Sequence, residues 1–284
     1  MSLKSLFPLA EISSDRLKKL EKSLTEFYNN PPASYYIIAD TAADHYNHEE
    51  LPFHCHLASQ VYKGAKVLDL GCGSAHLCPH VENNGGIYHG ADYNQQLLAL
   101  NRTKFTQAIF WKIDEVPVLT FDLVVSLYTI EHVVDPKAYL HKLWDHCSAG
   151  GLIGIICPDF IDGEALPRSI YFGKSAKRIR EKILNGYFLD ALFHLWELKI
   201  AAPRWKLKAQ SMPFGAFWIN LDPSDLVGKE HGIDGDAVHL PRLRDIEDWF
   251  LKMGAEVLVT SHTMPNISSS VSKHNCYILI RKPK

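Results

Sequence analysis

Between residues 66 and 158 short apolar runs alternate with longer half-polar stretches. The runs at 67–70, 87–91, 108–111, 121–126 and 152–156 read as strands. Residues 94–102 and 136–147 between them read as helices, the second opened by Asp135 as N-cap and Pro136 at the first helical position. Short buried strands alternating with helices require a parallel sheet covered on both faces. The alternation resumes after a gap, with a helix at 243–253 and strands at 256–260 and 276–280. The connection 261–274 holds Pro265 and several serines and reads as a loop, so the last strand is expected to run antiparallel. The pattern predicts an α/β, doubly wound, seven-stranded sheet with one antiparallel edge strand. Ahead of it, Leu17, Leu20, Leu24 and Phe27 mark a helix over 13–28, ended by Pro31-Pro32. Residues 33–63 are irregular and rich in Tyr and His. Residues 159–238 show no alternating strands. The expected organisation is therefore 1–63 as an N-terminal helical lid or cover, 64–158 with 239–284 as the core, and 159–238 as a mostly helical insertion after strand five.

The most informative stretch is Asp69-Leu70-Gly71-Cys72-Gly73-Ser74, where a strand feeds a glycine turn that opens a helix. Such a turn lets the backbone approach a ligand and offers free N–H groups at the helix start. Nineteen residues after Gly73, Asp92 ends the second strand, where a carboxylate can accept hydrogen bonds from ribose hydroxyls. A dinucleotide and S-adenosylmethionine both suit that geometry. The dinucleotide turn wants a third glycine, and His76 stands in its place. Asp69 would face the turn, where its charge disfavours a pyrophosphate and favours an ammonium group.

Composition narrows the class without deciding it. The 284 residues carry 30 Lys+Arg against 32 Asp+Glu, a net charge of -2, so no chain-wide field attracts nucleic acid. No apolar run reaches the ~20 residues that span a bilayer, and the first ten residues make a poor signal peptide. Six scattered cysteines without a C-x-x-C pair suggest a reducing, cytoplasmic setting. His54-Cys55-His56 offers nearby metal ligands, but neighbouring residues rarely complete a tetrahedron alone; no metal is expected.

The sequence resembles the class I S-adenosylmethionine-dependent methyltransferases, of the type 11/12 kind, over about 64–158 and again over 239–284. The resemblance rests on Asp69-Leu70-Gly71-Cys72-Gly73, on Gly90-Ala91-Asp92-Tyr93-Asn94, and on Phe121-Asp122-Leu123-Val124-Val125-Ser126 followed by Ile130-Glu131-His132-Val133 and Asp135-Pro136. It implies a Rossmann-like fold and S-adenosylmethionine as cofactor. By the same resemblance Asp69, Gly71, Cys72 and Gly73 would hold the methionine end, Asp92 the ribose, and Tyr93 would flank the adenine. Ser126 and Leu127 would line the floor, with Ile130, Glu131 and His132 at the mouth. The acid that the family often carries near its adenine loop is replaced by Lys112, which leaves Ile113 or Asp114 for the adenine contact.

Methyl transfer from a sulfonium needs alignment more than acid–base chemistry, but a hydroxyl acceptor profits from a base. His132, His231 and His239 are the candidates. The implied function is methylation of oxygen or nitrogen on a small-molecule or glycan acceptor. Two alternatives stay open: a nicotinamide-dependent oxidoreductase, and a non-catalytic scaffold or sensor that binds the cofactor. Nucleic acid is not expected as a partner, because Ser126-Leu127-Tyr128-Thr129 lacks the N/D-P-P-Y type run. Within the insertion, Lys174 to Lys208 holds nine Lys or Arg against Glu181, Asp190 and Glu197. This apolar, basic stretch fits core-facing helices with a charged exterior, a membrane surface, or an anionic acceptor carrying phosphate or carboxylate met by Lys177, Arg178 and Arg180. The runs Trp218–Pro223 and Asp234–Pro241 resemble, more loosely, bacterial methyltransferases found near polysaccharide-modification genes.

Overall fold

The computed structural model describes residues 5–37, 52–164, 166–170, 179–227 and 234–284. The chain opens with β1 (Leu6–Pro8) and α1 (Ser14–Asn29), then α2 (Pro52–Ser59). The alternation follows as β2 (Lys66–Leu70), α3 (Cys78–Asn83), β3 (Ile87–Asp92), α4 (Gln95–Lys104), β4 (Ile109–Lys112), β5 (Phe121–Leu127), α5 (Pro136–His146) and β6 (Cys147–Pro158). The insertion carries α6 (Ile179–Leu184), α7 (Phe188–Trp196), α8 (Ala202–Ser211) and β7 (Trp218–Asn220). The chain closes with β8 (His239–Leu240), α9 (Leu243–Lys252), β9 (Glu256–Thr260), α10 (Ser269–His274) and β10 (Asn275–Arg281).

The main sheet has the order β4-β3-β2-β5-β6-β10-β9. Strands β2 to β6 pair in parallel, and β10 runs antiparallel to both β6 and β9. The expected reversed strand is therefore β10, slotted between β6 and the outer β9. The loop expected before it ends in α10, six residues capped by the Ser268 hydroxyl, which accepts from Val271 N at 3.3 Å. Strand order reverses between β2 and β5, so a crevice opens at their carboxyl ends.

Both faces of the sheet are covered, as the continuous apolar runs demand. On one face Tyr139, Leu140 and Leu143 of α5 pack with Ile246, Trp249 and Phe250 of α9. On the other, Cys78 and Val81 of α3 and Leu98 of α4 pack with Phe53 and Leu57 of α2. Helix α2 falls where the sequence reads as irregular, because Phe53, Leu57 and Ala58 make too short a periodic stripe to read. A second sheet, β1-β7-β8, joins the leading segment to the insertion. Strands of two and three residues cannot display alternation, so this sheet is invisible in sequence.

Helix α5 starts as its residues dictate: the Asp135 carboxylate accepts from Ala138 N at 3.0 Å. Its Tyr139 hydroxyl donates to Leu70 O at 2.7 Å and meets Ser126 Oγ at 2.9 Å. This buried clamp ties the ends of β2 and β5 together beneath the crevice.

Candidate functional site

The crevice opens into a cavity of about 850 Å³, large enough for a nucleoside-sized ligand with a second small molecule beside it. Its floor is the turn after β2. Gly71 has φ +84°, and a Cβ there would stand 2.2 Å from the Thr129 side chain. Gly73 has φ +48°, and a Cβ there would meet nothing within 4 Å. The first glycine is required by the protein itself; the second leaves a bare cradle facing the cavity. Asp92 holds the cradle from one side, its carboxylate accepting from Gly73 N at 2.8 Å and Asn94 N at 2.8 Å. Asn101 Nδ2 donates to Gly73 O at 2.7 Å from the other. Asn94 itself caps α4, accepting from Gln96 N and Leu97 N.

Asp69 lies at the cavity wall and is 2% exposed. Burial pushes its pKa up to about 7, against the Tyr88 hydroxyl that donates to its Oδ2 at 2.7 Å. Its Oδ1 and the Ser74 hydroxyl, both at the cavity, have no hydrogen-bond partner among the described residues. A cation placed there would relieve the buried carboxylate and hold it ionised. The bare glycine, the unsatisfied carboxylate oxygen and the ribose-ready Asp92 fit S-adenosylmethionine.

Above this floor sits a second polar group. His132 Nδ1 lies 3.4 Å from Asp236 Oδ2, and His132 Nε2 lies 3.9 Å from Glu131 Oε1. The Tyr28 hydroxyl, from α1, donates to the same Asp236 oxygen at 2.5 Å. Burial alone would lower the pKa of His132, but Asp236 and Glu131 outweigh it and hold the imidazole above its usual value. Burial pushes the Glu131 carboxyl up to about 8. His54 of α2, neutral because burial lowers its pKa to about 3, stacks on Tyr128 across the same cavity. Tyr128 sits at φ +51°, a strained conformation for a bulky residue and common where a site is being shaped.

The structure thus gathers most of the expected residues. Asp69, Gly71, Cys72, Gly73, Asp92, Tyr93, Ile113, Leu127, Glu131 and His132 all line the cavity. Four do not. Ser126 is fully buried beneath it in the Tyr139 clamp. Ile130 is fully buried and offers its carbonyl to His239 Nδ1 at 3.0 Å. His239 itself is fully buried, with a pKa lowered to about 4, so it fixes the loop behind His132 instead of facing an acceptor. Asp114 points to solvent and pairs with Lys142 at 3.3 Å. His231, Lys177 and Arg178 lie outside the described residues. His54, Cys55 and His56 point apart on α2, with His56 meeting the Tyr277 hydroxyl at 2.6 Å. The sequence reading missed Tyr28, His54 and Asp236. Asp236 left a trace in the Asp234-Gly235-Asp236 run, and His54 only as a candidate metal ligand.

Residues 68–153 match a family model described as a methyltransferase domain. Two curated relatives are called ubiquinone biosynthesis O-methyltransferase. That of Chelativorans sp. is 25% identical over 130 residues, 43% of this chain and 49% of its own length. That of Dinoroseobacter shibae is 26% identical over 161 residues, 50% of this chain and 62% of its own length. The chain therefore matches only about half of these relatives. Among solved structures, the 1,6-didemethyltoxoflavin-N1-methyltransferase of Burkholderia thailandensis superposes with a TM-score of 0.53 at 11% identity, over 96% of this chain and 92% of its own. The matched stretch runs from β2 into β6 and takes in the cradle, Asp92 and the Glu131-His132 pair. Over that stretch the chain is similar to a methyltransferase domain, and together with the sheet order this supports a class I S-adenosylmethionine-dependent methyltransferase with a Rossmann-like fold.

Proposed function

We propose that the chain transfers a methyl group to a hydroxyl oxygen of a small molecule, with His132 as the general base. The observation that carries this reading is the 3.4 Å contact of His132 Nδ1 with Asp236, inside the cavity that also holds the glycine cradle. S-adenosylmethionine, when bound, supplies a methyl group already activated on a positively charged sulfur. Asp69, Gly71 to Ser74 and Asp92 hold it, with Tyr93 and Ile113 beside the adenine. His132 takes the hydroxyl proton, Asp236 balances the charge of the ring, and Tyr28 fixes Asp236. Helix α1 lines one wall of the cavity through Leu17, Leu24 and Tyr28. On this reading the core is 64–158 with 239–284, α1 of the leading segment is the lid or cover, and the end of the insertion supplies Asp234 and Asp236.

The relatives' names support oxygen as the acceptor atom and a small molecule as its carrier, and the family match favours the methyl donor over a nicotinamide. An anionic acceptor suits the cavity poorly, because Glu131, Asp234 and Asp236 stand at its polar end. No described residue of 179–211 lines it, so the basic stretch supplies no counter-charge there. A panel of phenols, alcohols, sugars and amines with labelled methyl donor tests the reading. Label is expected on hydroxyl acceptors; transfer to amines alone would overturn it.

The pH profile follows from the dyad. The base works only as neutral imidazole, and its pKa is held above the usual value. Activity therefore rises with pH through that raised pKa and then levels. Asp236→Asn removes the nearest anion, so the acidic limb should move to lower pH with a lower plateau. An unmoved limb would take Asp236 out of the mechanism.

A further inference from the structure

Helices α6 to α8 invert the usual arrangement of a surface helix. Ordinarily the apolar stripe faces the core. Here the inward positions are Lys182, Ala191, Glu197, Ala201, Ala202, Trp205 and Ala209, and two of these are charged. Lys182 is 1% exposed, its Nζ 2.9 Å from Asp190, and Glu197 is 1% exposed. Outward stand Leu184, Tyr187, Phe188, Leu189, Leu192 and Phe193, each at least half exposed. Trp196, Ile200 and Leu207 continue the same face. A π turn at Glu197–Ala201 joins α7 to α8 just ahead of Pro203, which has no N–H to give the helix ladder. The expectation of core-facing helices with a charged exterior is met only in part: the exterior carries large apolar side chains beside its charged ones.

Single exposed apolar residues need no explanation, but a contiguous face of this kind marks a binding surface. Its charge selects the partner. Exposed Arg180, Lys199, Arg204 and Lys208 border the apolar residues, against exposed Glu181. Over Lys174 to Lys208 the sequence has nine basic residues to three acidic ones, in a chain of net charge -2. A second copy of the chain would bring the same positive patch against itself, since a two-fold contact pairs like with like. A surface with apolar depth and negative charge meets both features. Tyr187 and Trp196 suit the boundary between apolar and aqueous layers, and the Lys and Arg suit anionic headgroups. No described helix is long and apolar enough to cross a membrane. We infer that α6 to α8 form a docking face for the surface of an anionic lipid bilayer, on which the chain lies without spanning it.

Vesicles of equal parts phosphatidylglycerol and phosphatidylcholine, with pure phosphatidylcholine as control, test this on the full chain. Trp196 is 39% exposed, whereas Trp144, Trp205, Trp218 and Trp249 are all under 10%. The anionic vesicles should shift the intrinsic fluorescence to the blue and sediment the chain, and high salt should reverse both. Trp196→Phe should remove most of the fluorescence shift while the chain still sediments. Lys199→Gln with Arg204→Gln and Lys208→Gln should weaken binding about a hundredfold, at about fivefold per charge. Leu189→Ser with Leu192→Ser and Phe193→Ser should abolish it. These side chains are exposed, so an unchanged melting temperature verifies the fold of each variant. Failure to bind anionic vesicles would overturn the proposal, as would equal, salt-insensitive binding to pure phosphatidylcholine. So would a concentration-dependent dimer that Leu192→Ser dissolves, which would assign the face to self-association.

Discussion

His132→Ala should lower kcat for hydroxyl methylation by about 10²–10⁴-fold, the usual worth of a positioned base. Donor binding should fall far less than kcat, because His132 reaches the donor side only through its electrostatic interaction with Asp92. Its removal takes a charge partner from the buried Asp236, so a thermal melt of the variant accompanies the kinetics. The loss should depend on the acceptor. An acidic phenol, already partly ionised at pH 8, needs little help and should lose far less than an alcohol. Raising the pH should restore part of the phenol rate and none of the alcohol rate. A merely structural His132 would cut all acceptors equally. Steady-state kinetics on a graded series of phenols and alcohols separates the two, and a uniform loss would remove the base from the mechanism.

Gly73→Asn should abolish donor binding while leaving the melting temperature within a few degrees of the parent. Asparagine tolerates the left-handed conformation that φ +48° requires better than other side chains do. The space in front of Gly73 is empty of protein, so the new side chain meets no neighbour and instead fills the cradle. Gly71→Asn makes the contrast: its Cβ would collide with Thr129, so that variant should lose stability. Thermal melts with and without S-adenosylhomocysteine read both effects. If Gly73→Asn still gains stability from the ligand, the cradle is not where the donor sits.

The core was legible because its signals are local. Asp69, Gly71 and Gly73 fall within five residues of one strand and turn, and Asp92 follows at the spacing one βαβ unit imposes. The strand runs 67–70, 87–91 and 121–126 are largely buried on both faces, which is why they read as mainly apolar stretches without strict alternation. The acceptor side was legible only in half. Glu131 and His132 follow directly from β5, but their partners arrive from afar: Tyr28 from α1, His54 from α2 and Asp236 from the end of the insertion. A contact across 208 positions, as between Tyr28 and Asp236, leaves no spacing to read. His239 and Ser126 sit at the right places in the chain and yet point into the protein. Sequence shows that a residue is near a strand end, but the rotation of its side chain is set by packing. Asp114 was drawn away by Lys142, a partner on another element.

Everything rests on one ligand, a methyl donor with a cationic end seated between Asp69 and Asp92. Titration calorimetry of S-adenosylhomocysteine into the full chain tests it most directly, with NADH as the comparison. The account predicts one equivalent bound to the chain, none to Gly73→Asn, and no heat from NADH. Binding of NADH in place of S-adenosylhomocysteine, or no binding of either, would contradict it.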